Sequence, residues 1–162
     1  MSAGQGQAGD GYTINIPGEL ASYRLSIPGR LPGLNEYTEA SRANRYKGGK
    51  LKQTSQELVS WCIRSQLRGL TVKRPVFLLF TFYEKDRRRD HDNVASFARK
   101  VIQDALVDCG TLYDDGWEYV TGYLDRFEVD TQAPRIVVEF IEQEGEVRCS
   151  RRRKKSCPRS RH

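Results

Sequence analysis

Between Tyr83 and Trp117 the chain gathers side chains whose types and spacing suit hydrolysis of a phosphodiester. Asp90 and Asp92 stand two residues apart, behind the cationic run Arg87, Arg88 and Arg89. Asp114 and Asp115 close the stretch. Between these acids, Val94, Phe97, Ala98, Val101, Ile102 and Ala105 recur at three and four residues, the period of one apolar helical face. The other edge of that helix carries Asn93, Ser96, Lys100 and Asp104 in a narrow stripe beginning beside the first acids. A lysine thus stands two turns in, on the acidic side.

Carboxylates at one place repel each other unless something positive holds them, and hard divalent cations take Asp oxygens for that purpose. Mg²⁺ is the natural ion, with Mn²⁺ as a substitute. It would activate water and neutralise a phosphate, while the lysine stabilises charge developing in the transition state. The arginine run would clamp phosphate oxygens. Each residue also has a simpler reading. Asp90 or Asp92 can be a helix N-cap, Lys100 with Asp104 a surface ion pair, Asp115-Gly116 a turn, and the arginines a counterweight to the acids. It is their joint occurrence around one helix that favours chemistry. His91 stands between the first two acids, but neighbouring side chains in an extended turn diverge and Mg²⁺ prefers oxygen, which leaves it a bystander.

The segments D-H-D-N at 90–93, K-x-x-x-D-A-L at 100–106 and G-x-x-x-D-D at 110–115 resemble the RusA family of phage-type Holliday junction resolvases. The resemblance spans roughly Ser22 to Glu142 and implies a Mg²⁺-dependent homodimeric endonuclease that cuts four-way DNA junctions. It implies metal ligation by Asp90, Asp92 and Asp115 and a catalytic role for Lys100. In this chain Lys100 lies one helical turn farther from Asp92 than in the best-known form of the motif. Four added residues rotate a helix by only about 40° and advance it by roughly 6 Å, so the lysine keeps its face. P-G-R-L-P-G-L-N-E-Y at 28–37 resembles the family's Pro-rich turn leading to an asparagine, which places Asn35 against DNA.

The elements that must position these residues are legible in outline. Pro75 opens V-F-L-L-F-T-F-Y, an apolar run of strand length that predicts a strand buried on both faces. Its C-terminal end points at Lys85 to Asp92, where strand gives way to helix 93–108, a frequent place for a site in an α/β sheet. Alternation predicts a first core strand at 22–27 and two later strands at 117–129 and 135–141. Thr54 and Glu57 read as a capping box for helix 54–68, with Leu58, Trp61 and Cys62 on its apolar stripe and Trp61 in the core. From Arg30 to Lys52 the chain reads as a long loop in which Lys47, Lys50 and other cations alternate with Tyr37 and Tyr46, a composition suited to a nucleic-acid backbone. The expected fold is α/β (α+β), RusA-like, with a small mixed sheet covered by two main helices.

Composition bounds the rest. The chain of 162 residues suits one domain, expected at 22–142, after a flexible Gly-rich segment at 1–21 and before a disordered basic tail at 143–162. Net charge is +6, yet eight Lys and Arg follow Glu146 with no acid among them, leaving 19 basic against 21 acidic side chains before them. The basicity is therefore a tail, which attracts phosphates without reading sequence. Four cysteines with no close pair and two histidines make poor zinc and disulfide frameworks. No apolar run approaches the roughly 18 residues of a membrane span, and the first residues lack a signal peptide's pattern, so a cytoplasmic location is expected. Alternatives to an endonuclease are a structure-selective DNA-binding protein that does not cut, and a small-nucleotide phosphohydrolase.

Overall fold

A computed structural model describes residues 21–147, so residues 1–20 of the Gly-rich start and residues 148–162 of the basic tail lie outside the described residues. Strand β2 (Val76–Glu84) is the centre of the fold. Leu78, Phe80 and Phe82 join the main core, whereas Leu79 and Thr81 face away from it and are still buried. That is the two-sided burial its uninterrupted apolar sequence predicts. Strands β1 (Tyr23–Pro28), β3 (Val120–Val129) and β4 (Arg135–Glu142) complete one mixed sheet in the order β1-β4-β2-β3. β4 runs antiparallel to both β1 and β2, and β3 runs parallel to β2. A parallel neighbour requires a crossover, and helix α3 (His91–Asp108) supplies it. Val94, Phe97, Ala98, Val101, Ile102 and Ala105 are all buried on its inner face.

The region expected as a loop is instead helical. Helix α1 covers Leu34–Ala43 and helix α2 covers Arg45–Leu67, so α2 begins nine residues before the capping box that Thr54 and Glu57 suggest. Its true cap is Asn44, whose side-chain oxygen accepts the Tyr46 backbone N–H at 2.8 Å. Tyr37 of α1 stacks on Phe97 of α3 with ring centroids 4.8 Å apart, burial that the loop reading overlooked.

Gly48, which reads as a loop residue, sits where α1 crosses α2. A Cβ there would lie 2.9 Å from the Ser41 Cα. Gly48→Ala should therefore lower stability by about 1–3 kcal/mol, despite Ala's better helix propensity, because the two backbones must part. Thermal unfolding followed by circular dichroism measures this. An unchanged melting temperature would mean that the crossing yields without cost.

Trp61 is a second correction. Val59, Cys62 and Ile63 set the buried phase of α2, which turns Trp61 outward to 65% exposure. At the other end of α2, Gln66 accepts the Ser26 N–H at 2.8 Å and donates to the Ser26 carbonyl at 2.6 Å. This closes part of the edge of β1 that would otherwise be open to pairing. Among the described residues, no helix is long and apolar enough to cross a membrane.

Candidate active site

α3 begins where its sequence provides a cap. Asp90 is extended, and its Oδ1 accepts the Asn93 backbone N–H at 2.8 Å. One turn on, the Ser96 hydroxyl donates to Asp92 Oδ1 at 2.6 Å. Two further steps of four residues bring Lys100 and Asp104, whose Nζ and Oδ1 are 2.8 Å apart. Asp92, Ser96, Lys100 and Asp104 thus form a polar row on the outer side of α3; of the expected stripe, Ser96, Lys100 and Asp104 lie on it, while Asn93 turns to the backbone of α1 and Asp92 takes its place beside Ser96. Lys100 Nζ also reaches Asp115 Oδ2 at 3.1 Å, linking the row to the loop after the helix. Asp114 turns its Oδ1 back to its neighbour's backbone N–H at 2.9 Å. Asp104 is shared, because Lys52 of α2 holds its other oxygen at 2.9 Å.

The site residues fall into two groups along one helix. Asp90 and Asp92 occupy its start, and Lys100, Asp104 and Asp115 lie about two turns on. Eight residues of helix correspond to roughly 12 Å. Among the described residues, no three His, Cys, Asp or Glu side chains converge as a ready metal cluster. Asp90 and Asp92 use Oδ1 in their contacts and Asp115 uses Oδ2, so each has a second carboxylate oxygen without a described partner.

Electrostatics keep Lys100 and Asp115 ionised. Asp104 first, and then Asp115, hold the Lys100 ammonium above the ordinary lysine range. Lys100 in turn holds the Asp115 carboxyl below the usual carboxylate range, against a smaller opposing effect of burial. A depressed carboxyl stabilises the fold above its unfolded pKa and loses that effect as pH falls through the folded value. A raised ammonium stabilises below its unfolded pKa and loses that effect as pH rises through the folded value. The small stability difference between wild type and Lys100→Ala should therefore be full between the ordinary Asp and Lys ranges and close at both extremes. Melting temperatures of the two proteins across pH measure it, and a constant difference would disconnect the pair from stability.

The arginine run divides. Arg89 is almost enclosed and binds both oxygens of Glu84, with Nη2 at 2.7 and 2.9 Å, while Nη1 donates to the Leu31 carbonyl at 3.2 Å. The expected phosphate clamp is therefore committed internally at this position, where it ties the end of β2 to the turn before α1. With side-chain exposures of 12% and 14%, removing one partner strands a charge, and Arg89→Ala should cost about 3 kcal/mol. Urea unfolding tests this, and a loss below about 1 kcal/mol would show that water replaces the guanidinium. Arg87 and Arg88 are exposed, and Arg88 lies 3.6 Å from Asp86. His91 stacks on Phe127 at 4.0 Å, occupied as a ring contact.

Asn35 is exposed in the first turn of α1, and its backbone N–H donates to Asn93 Oδ1 at 2.9 Å. The N-cap of α1 is Gly33, which has no side chain to cap with, so Asn93 of α3 serves instead. This role for Asn93 is a tertiary one, and its only trace in the sequence is the lack of a capping side chain before Leu34. Lys47 and Lys50 are exposed in the first turns of α2. That first turn contains no acid. Cations there oppose the helix dipole by about 0.3–1 kcal/mol each. No protein-family model matches the chain, and no curated protein matches it.

Proposed function

We propose that this protein is a metal-dependent endodeoxyribonuclease that cuts branched DNA, acting on four-way junctions in recombination or repair as the RusA resemblance implies. The observation that carries the reading is the contact of Lys100 with Asp115, fifteen residues apart, on a polar row that starts at Asp92. A surface lysine on a helix needs only its i,i+4 acid, and the second acid brings the segment at 110–115 onto the segment at 100–106, with that at 90–93 two turns back on the same helix.

Asp90, Asp92 and Asp115 offer only carboxylate oxygens, the donor type that Mg²⁺ and Mn²⁺ take, and each has one oxygen to give, although Asp115 stands with Lys100 about two turns along α3 from the other two. When bound, such an ion supplies an activated water and neutralises the phosphate being cut. Lys100, kept protonated by its two acids, is a charge stabiliser and not a proton acceptor. Its role is to lie against the phosphate oxygens as negative charge builds there. Arg87 and Arg88, together with Lys47, Lys50 and Asn35, contact the flanking backbone. A homodimer would present two sites to opposed strands, matching the two-fold symmetry of a junction. The reading goes with a cytoplasmic location.

Purified protein should nick a synthetic four-way junction in Mg²⁺ or Mn²⁺ and not in EDTA. Tight junction binding without cleavage in either ion would replace this reading with a DNA-binding module. Hydrolysis of free nucleotides without DNA binding would replace it with a small-nucleotide phosphohydrolase.

A further inference from the structure

Because α2 is continuous from Arg45 to Leu67, the cations of the supposed loop and the outward tryptophan fall on one line. At 100° per residue, Tyr46, Lys47, Lys50, Trp61 and Arg64 lie within one outward face, and all five are exposed, as is Arg68, the left-handed C-cap that follows the helix. Tyr46 is 74% exposed and Trp61 65%. The acid on this face, Glu57, is engaged by the Gln53 amide at 3.0 Å. A solvated helix face usually mixes signs, whereas this one, with its C-cap, carries four cations, two aromatic rings with polar tips and one acid.

We infer that the outward face of α2 is a track for the sugar–phosphate backbone of a duplex DNA arm running away from the candidate active site. The inference rests on the nuclease reading for its partner and adds a surface to it. Lys52, on the inner side of the same helix, holds Asp104, which holds Lys100, so α2 packs beside the polar row of α3 and carries the track on its far side. From Tyr46 to Leu67 the helix extends roughly 32 Å, close to one turn of B-form DNA. Lys47, Lys50, Arg64 and Arg68 meet phosphates, and the Tyr46 hydroxyl and Trp61 indole N–H donate to the same backbone while their rings cover sugars. Charge complementarity selects a polyanion over a second copy of the chain, because two such faces would bring like charges together.

The test uses the full chain with fluorescein-labelled duplex and four-way junction, followed by anisotropy across a salt series. In a Lys47→Gln, Lys50→Gln, Arg68→Gln protein the slope of log affinity against log salt should fall by about 2 to 3, since each neutralised phosphate contributes roughly 0.9. The basic tail is common to both proteins and cancels. Trp61→Ala should weaken binding about tenfold, and Trp61→Phe should recover only part of it, because phenylalanine lacks the indole N–H. In a Trp117→Phe background, DNA should alter the emission of the remaining Trp61. Unchanged salt slope and unchanged Trp61 emission, with DNA bound, would overturn the track and leave the nuclease reading standing. Loss of a dimer in sedimentation of Trp61→Ala, with the salt slope intact, would also overturn it and give the face to a second copy. Wild type that follows the track predictions but nicks nothing would uphold the track and overturn the nuclease reading.

Discussion

Asp92→Asn protein is expected to bind a four-way junction at least as tightly as wild type and to cut it more than a hundredfold more slowly. The substitution keeps an oxygen for the Ser96 hydroxyl, now at 2.6 Å from Asp92 Oδ1, so the start of α3 should not change. What is lost is a charged oxygen donor for a hard cation. Removing negative charge that faces phosphate also favours binding, which makes the two readouts diverge. Asp90→Asn should behave alike, because Asn caps a helix as well as Asp does. Asp115→Asn should lose cleavage and part of its hold on Lys100, whereas Asp114→Asn should do less, since its Oδ1 serves the Asp115 backbone. Gel-resolved cleavage in Mg²⁺, beside anisotropy binding in Ca²⁺, separates the effects. Full activity of Asp92→Asn would remove the start of α3 from the site.

Lys100→Ala is expected to slow cleavage by about a hundredfold or more with the fold intact. The side chain is 56% exposed, and its i,i+4 pairing with Asp104 is a surface contact worth about 0.3–0.5 kcal/mol. Asp104 would keep Lys52 at 2.9 Å, while Asp115 would lose its described cation. A purely structural lysine would therefore leave a nearly silent variant. Single-turnover cleavage rates, taken with melting temperatures, decide the matter. Near-normal rates would return Lys100 to the helix surface, and Lys100→Arg should keep binding while recovering only part of the rate, since a planar guanidinium cannot reproduce a compact ammonium.

Much of the frame follows from short-range pattern. The apolar period of Val94 to Ala105 determined a helix and its buried face, and the structure buries each of those residues. The run opened by Pro75 determined a strand hidden on both sides, since no face of it offers water a polar row. Asp90 and Asp92 both offered a cap near a helix read from 93, and the structure uses Asp90 and starts α3 at His91. The stripe of Ser96, Lys100 and Asp104 follows from helical geometry once the helix is granted, whereas Asn93, expected on it, turned to α1. These features depend on residues within a turn or two, and local physics suffices for them.

The tertiary structure decided the rest, because it depends on what lies across space. Whether 34–52 is loop or helix turned on Asn44, on the close crossing at Gly48 and on Tyr37 finding Phe97, contacts that no propensity sums. The outward turn of Trp61 turned on which side of α2 met the sheet, and a helix with apolar residues on two sides leaves that phase open until a partner buries one of them. Arg89 reads as a free phosphate clamp until Glu84 and the Leu31 carbonyl close around it. The strand order β1-β4-β2-β3 and the meeting of Lys100 with Asp115 are likewise choices among chain paths, settled by burial and charge pairing between segments distant in sequence.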